Sequence, residues 1–282
     1  MEADMCRSEY SDRFARQIAY FEDLTNYRNG VEAQKVLANN HVVIFGAGSV
    51  GSAIAIELTR MGVRHITLID YKRLDQSHKI KHLYCNNLNL GQKKVDALKE
   101  YLLKINQCIT VEVFHEKILP DTDLTKFIHN KTSLVVNSAD EPYIGHLSVK
   151  IGRFLWDKNI ALYIAGGFNA HSMSTGEIIV PNITPCIDCY TNSFKIALGN
   201  WKPKYKTITS THRDKDIILG GPGSISACSL FSASYACMCI VYYLLGVDFP
   251  MEKRGEYLIN SGFITWINLG RSKNAECQTC SK

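Results

Sequence analysis

The chain has 282 residues, of which 46% are hydrophobic and 21% charged, so it carries enough apolar material for a full core and too much for a disordered segment. Its 32 basic residues outnumber 27 acidic ones, a net charge of +5 spread along the chain, and no nucleic-acid partner is expected from that balance. The opening stretch "MEADMCRSEYSDRFARQ" is charged and lacks an apolar run, so no signal peptide is expected and the cytoplasm is the expected compartment. Ten cysteines in that setting suggest reduced thiols or metal ligands rather than a disulfide framework.

In chain order, residues 1–12 read as loose, and the second half of "RQIAYFEDLTNYRNGVEAQKVLANN" reads as a helix. "HVVIF", a glycine loop, a helix to about Met61 and "HITLID" make one βαβ unit. In "GQKKVDALKEYLLKIN", Val95, Leu98, Leu102 and Ile105 recur at helical spacing. "TVEVFHEKI" reads as a strand, "DLTKFIHN" as a short helix, "SLVVNSAD" as a buried strand, "HLSVKIGRFLWDKN" as a helix and "ALYIAGG" as a strand. This alternation predicts an α/β fold with a doubly wound, mostly parallel, Rossmann-like sheet. "GEIIVPNITPCIDCY" and "GEYLINSGFITWINLG" read as antiparallel strands that extend the same sheet. The expected organisation is one domain over 1–282, with 1–12 flexible, 13–170 binding nucleotide and 171–282 holding substrate and zinc.

Ile225 to Leu245 carries no charge over 21 residues, a length that permits a membrane span. It also carries four serines and three tyrosines, with no basic cluster close by. A buried helix with a small-residue face of Ser226, Ala227, Ala233 and Ser234 is the expected form, and no membrane partner is expected.

The loop Gly46-Ala47-Gly48-Ser49-Val50-Gly51 fits G-x-G-x-x-G between a strand and a helix. Gly46 permits the tight turn, Gly48 lets backbone approach a phosphate, and Gly51 lets the helix pack closely. The helix N-terminus offers N–H groups and a positive dipole end to an anion. Asp70, 24 residues after Gly46, ends the second strand, where an acid accepts from ribose hydroxyls. The loop alone does not separate ATP from NAD, nor a ligand site from a turn that only packs. Asp140 follows "LVVNS" and should face the same crevice, either to hold Mg²⁺ or to cap a helix starting near Pro142. Lys93 and Lys94 open a helix, where the dipole disfavours cations, so they either reach an anion or lie on a solvated surface. Cys186-x-x-Cys189 and Cys277-x-x-Cys280, with 87 residues between them, could give tetrahedral zinc its four thiolates. Redox pairs or buried thiols are the alternatives. Cys228, Cys237 and Cys239 read as inert core.

Taken together, six pieces in order resemble the ThiF/MoeB family of adenylyltransferases and the nucleotide-binding domains of ubiquitin-activating enzymes. They are "RFARQI", the stretch from "VVIFGAGSVG" to "ITLID", "GQKKVDAL", "VVNSAD", "STGEIIV" and the two cysteine pairs, spanning Arg13 to Cys280. The resemblance implies that Gly46, Gly48 and Gly51 line the phosphates of ATP and that Asp70 binds its ribose. It implies Lys94 on phosphate, Asp140 on Mg²⁺, Arg16 reaching into a partner subunit's site within a homodimer, and structural Zn²⁺ on the four cysteines. There are departures. Lys72 stands where the family has a second acid, and His78, Lys81 and His82 fall on its Asn, Arg and Gln positions. Lys81 keeps the charge and loses the bidentate fork.

The implied chemistry is carboxylate activation: a carboxylate attacks the α-phosphorus of ATP and pyrophosphate leaves. The nucleophile is already ionised, so positive charge and positioning carry the catalysis, and Arg16, Lys81, Lys94 and Asp140 are the expected catalytic residues. The implied partner is a small ubiquitin-like sulfur carrier or a peptide, offering its C-terminal carboxylate. No cysteine lies between Cys189 and Cys228, so no internal thioester is expected. A relative in peptide-antibiotic biosynthesis that consumes the adenylate within its substrate is the alternative. Twelve residues precede Arg13, too few for the N-terminal recognition domain such relatives often carry. Asn192–Asp216 could guide an acidic tail or be a plain surface loop. Rival classes are a non-catalytic nucleotide-binding scaffold and an NAD-dependent oxidoreductase.

Overall fold

The computed structural model describes residues 2–25, 29–140, 144–169, 172–198, 225–258, 262–272 and 274–281. Two helices lead in: α1, Glu2–Leu24, and α2, Gly30–Asn39. Residues 2–12, expected to be loose, are therefore the first half of α1. The helix is docked by Phe14 and Phe21, two turns apart and both buried. The Asn29 side chain caps α2 by accepting from the Glu32 N–H.

The nucleotide-type half follows: β1, His41–Phe45; α3, Ser49–Arg60; β2, His65–Ile69; α4, Lys94–Ile105; β3, Thr110–Phe114; β4, Thr132–Asn137; α5, Ile144–Trp156; and β5, Ala161–Ala165. The main sheet runs β3-β2-β1-β4-β5-β8, with β8 at Gly176–Ile179. The first five strands are parallel and β8 is antiparallel to β5. Val42 and Ile44 of β1 face one core shared with α3, α4 and α7 (Ser226–Leu244), while Val43 and Phe45 face a second core with α5. Burial on both faces explains why these strands read as apolar runs rather than alternating patterns.

Two expectations for the second half need correction. Only β8 extends the main sheet. The short strands β6, Phe168–Asn169, and β7, Ser172–Ser174, join β9, Lys253–Leu258, and β10, Phe263–Asn268, in a second antiparallel sheet ordered β10-β9-β7-β6. The "CIDCY" stretch is not a strand but opens helix α6, Ile187–Leu198, after Pro185 ends the β8 connection.

Among the described residues α7 is long and apolar enough to cross a membrane by length and composition. Here it packs against α3. The inner face is Ser229, Ser232, Ala233, Ala236 and Cys237, a small-residue stripe displaced from the expected one, since Ala227 and Ser234 are exposed. Ser232 Oγ donates to the Ser174 carbonyl at 2.9 Å. The outer face leaves Leu230, Phe231 and Met238 exposed.

Strand order reverses at β1, whose neighbours are β2 on one side and β4 on the other. A crevice opens there at the carboxyl ends of the strands, the place where doubly wound sheets bind ligands.

Candidate functional site

The crevice is a pocket lined by the glycine loop, Asp70, Lys94 and Asp140. Each glycine of the loop has a different reason to be glycine. Gly46 has φ +94°, and a Cβ there would lie 2.7 Å from the Ala139 nitrogen. At Gly51 a Cβ would overlap the Gly46 carbonyl oxygen and Ser138 Oγ. At Gly48 a Cβ would meet nothing within 4 Å, so that face of the backbone is open to a ligand. Gly48 also caps α3 without a side-chain hydrogen bond, and the first turn holds no acid. The helix therefore presents its positive end to the pocket with no carboxylate of its own against it.

Asp70 holds this loop in place. Its carboxylate accepts from the Ala47 N–H at 2.8 Å and from the Lys72 N–H at 2.7 Å. The loop is braced again by Tyr84, whose hydroxyl donates to the Ala47 carbonyl at 2.7 Å. Burial pushes the Tyr84 phenol well above its ordinary pKa, so it stays a neutral donor. Tyr84 gave no sequence signal, because its role depends on how the crossover between β2 and α4 folds back.

Lys94 is the first residue of α4 and is 4% exposed. Its N–H donates to the Lys72 carbonyl, which fixes the helix start beside the pocket. Burial pushes its ammonium below the ordinary lysine value, and the charge of Asp70 works in the opposite direction. His82 Nε2 lies 3.5 Å from Lys94 Nζ. Burial, then the Lys94 charge, pushes the His82 imidazole down to about 3, so it is neutral and can accept from the ammonium. Its buried Nδ1 has no hydrogen-bond partner among the described residues.

Asp140 is exposed and lines the same pocket just beyond β4. The capping alternative falls on residues 141–143, outside the described residues. Two expected site residues are not brought here. Lys81 ends the 3₁₀ turn Gln76–Ile80 and is not among the lining side chains. Arg16 is exposed on α1, next to Gln17, which donates to the Met61 carbonyl at the far end of α3. A helix of 12 residues puts that end about 18 Å from the glycine loop. The far end of the pocket, which sequence reading missed, is walled by Phe45, Ile69, Ile118 and Leu147, with Tyr71, Lys72, Glu116 and Lys117 around them.

Away from the pocket, the four cysteines converge. Cys186, Cys189, Cys277 and Cys280 have sulfurs all within 4.8 Å of one another, with Cys186–Cys277 at 3.5 Å and Cys189–Cys280 at 3.6 Å. Tetrahedral thiolates at Zn–S distances of about 2.3 Å stand about 3.8 Å apart, so the donor set fits zinc. The knot ties the C-terminal tail to the start of α6, and Thr279 Oγ1 donates to Asp188 beside it. Of the remaining cysteines, Cys85, Cys228, Cys237 and Cys239 are free. Asn192–Leu198 belong to α6, and the rest of the expected cover over 199–216 lies outside the described residues.

Fold and pocket together define a doubly wound α/β protein with an anion-receptive crevice and a four-cysteine knot. The model of the ThiF family matches residues 15–278, and the chain belongs to that family. It is 30% identical over 275 residues to "Adenylyltransferase and sulfurtransferase MOCS3" of Culex quinquefasciatus, covering 95% of this chain and 55% of that protein. The chain thus spans about half the length of this curated relative. Among solved structures it is similar to E. coli MccB with AMPCPP and MccA, at TM-score 0.76 and 22% identity over 96% of this chain and 74% of that one. It is similar to PaaA at TM-score 0.76 and 21% identity, covering 93% of this chain and 83% of that one.

Proposed function

We propose that the protein adenylates a carboxylate with ATP, releasing pyrophosphate. The observation that carries this reading is Lys94, a buried cation that shares one pocket with an open glycine loop and the carboxylates of Asp70 and Asp140. A buried ammonium whose described side-chain partner is a neutral imidazole retains donors for a phosphate chain. The glycine loop and the α3 N-terminus would take the phosphates, and Asp70 the ribose. Asp140 would hold Mg²⁺, which neutralises phosphate charge when bound.

In the step itself a carboxylate oxygen attacks the α-phosphorus. The bond from that phosphorus to the bridging oxygen breaks and pyrophosphate carries the charge away. Lys94 stabilises the charge that builds on the phosphoryl oxygens, and no general base is needed for an ionised nucleophile. The substrate class is the C-terminal carboxylate of a small protein or peptide, and the adenylyltransferase in the name of the curated relative supports the adenylation. The absence of a cysteine between Cys189 and Cys228 supports release of the adenylate rather than capture as a thioester. The four cysteines would hold structural zinc, since four protein ligands leave no open position.

A homodimer completes the reading. Arg16 is exposed and remote from its own pocket, as a residue acting in a partner's site must be. The outer face of α7 and strand β10, with Phe231, Met238, Phe263 and Trp266 exposed, supplies an apolar surface for a second copy or the substrate protein. A cytoplasmic setting remains part of the proposal.

The test is exchange of labelled pyrophosphate into ATP. Exchange that requires a peptide with a free C-terminus, and is lost in Lys94→Ala, supports the reading. Exchange absent with every small protein and peptide supplied, despite ATP binding, would favour the non-catalytic scaffold.

A further inference from the structure

Lys150 on α5 spends all three of its ammonium donors on one loop. Its Nζ donates to the carbonyls of Leu119 at 3.0 Å, Pro120 at 2.7 Å and Thr122 at 2.7 Å. An ammonium has three N–H groups, so the tripod is complete. The loop it grips is closed on itself by Thr122, whose N–H donates to the Leu119 carbonyl and whose hydroxyl accepts from the Leu119 N–H.

This loop continues directly from Glu116, Lys117 and Ile118, which line the pocket. Leu147, three residues before Lys150 and so on the same face of α5, lines the same pocket. Ile118 and Leu147 are buried in one cluster with Phe45 and Ile69. The strand order places the segment after β3 beyond Asp70, on the side away from the glycine loop. A nucleotide laid across these strand ends, phosphates at β1 and ribose at Asp70, would carry its base toward the segment after β3, where Ile118 lines the pocket in one cluster with Leu147.

We propose that Lys150 is a positioning residue: by stapling the 119–122 carbonyls to α5 it sets the spacing of the two walls that hold the base. The inference rests on the reading of this pocket as an ATP site. Lys150 touches no ligand, and acts through Ile118 and Leu147.

The experiment is calorimetric titration of the full chain with ATP and, separately, with inorganic tripolyphosphate. The wild type, Lys150→Met and Lys150→Arg are compared, with a thermal melt of each. Tripolyphosphate needs the glycine loop and Lys94 but not the base walls. In Lys150→Met the dissociation constant for ATP should rise about tenfold, the scale of one lost charged hydrogen bond, while that for tripolyphosphate stays the same. Lys150→Arg, whose planar fork cannot reproduce a tripod, should fall between the two. Equal ATP affinity in wild type and Lys150→Met overturns the inference and leaves the ATP site standing. Parallel loss of both ligands overturns it too, because the staple would then serve the fold as a whole. A wild type that binds tripolyphosphate but not ATP overturns the reading of the pocket, and the inference with it.

Discussion

Lys94 Nζ lies 3.5 Å from His82 Nε2, and both side chains are buried. Two cations cannot share that space, so one of the pair must stay neutral. Burial and the Lys94 charge assign neutrality to His82, whose pKa falls from 6.5 to about 3, with the His78 ring stacked edge-on at 4.6 Å adding to the effect. The arrangement leaves a single positive charge, on the residue that lines the pocket.

Stability should therefore depend on pH through His82. Between pH 6.5 and about 3 the unfolded chain takes up a proton that the folded His82 refuses, so stability is full above pH 6.5 and falls as the pH drops. The slope from this one residue is at most about 1.4 kcal/mol per pH unit. Urea unfolding at pH 7 and pH 5 should show a smaller difference for His82→Gln than for wild type. Equal differences would mean His82 is protonated in the fold.

Gly48 and Gly51 should separate binding from folding. Gly48→Ala meets nothing in the protein, so its melting temperature should match wild type while ATP affinity falls at least tenfold as the methyl group blocks phosphate approach. Gly51→Ala overlaps the Gly46 carbonyl and Ser138 Oγ, both part of a braced loop, and should lose about 2 kcal/mol or more of stability. A normal melt for Gly51→Ala, or unchanged ATP affinity for Gly48→Ala, would contradict the loop geometry.

The glycine loop and Asp70 sit at fixed distances from strand ends, so their meeting at one crevice is legible, whereas Lys94 reads as either an anion contact or a surface residue until the fold buries it at the pocket. The cysteine pairs were legible because C-x-x-C is local, although only the fold brings Cys277 and Cys280 back to α6. Tyr84 gives no usable signal, since the irregular crossover between β2 and α4 decides where it points, and His82 stands out only as a departure from the family pattern. The inner face of α7 was misplaced because an all-round apolar helix has no polar side from which to read orientation. Lys81 is placed near phosphate by the resemblance alone, and in the structure it follows the 3₁₀ turn Gln76–Ile80 and is not among the side chains lining the pocket.

Zinc should bind in a one-to-one ratio to the chain. Elemental analysis should find about one zinc per chain, and Cys277→Ser should lose it. A strong chelator should lower the melting temperature, because a metal held there would join the tail to α6 and add its binding to the folding free energy. Since all four ligands are thiols, the metal should be released progressively as the pH falls and the thiolates take up protons. A metal-free wild type that melts like the untreated protein would remove the structural role.

The most direct test of the account is a pair of titrations, ATP·Mg²⁺ and NAD, into wild type and Lys94→Ala. ATP should bind the wild type, NAD should bind about a hundredfold more weakly or worse, and Lys94→Ala should lose about tenfold or more in ATP affinity, the scale of a charged hydrogen bond to phosphate. NAD binding tighter than ATP, with Lys94→Ala indifferent, would contradict it and make the crevice a dinucleotide site.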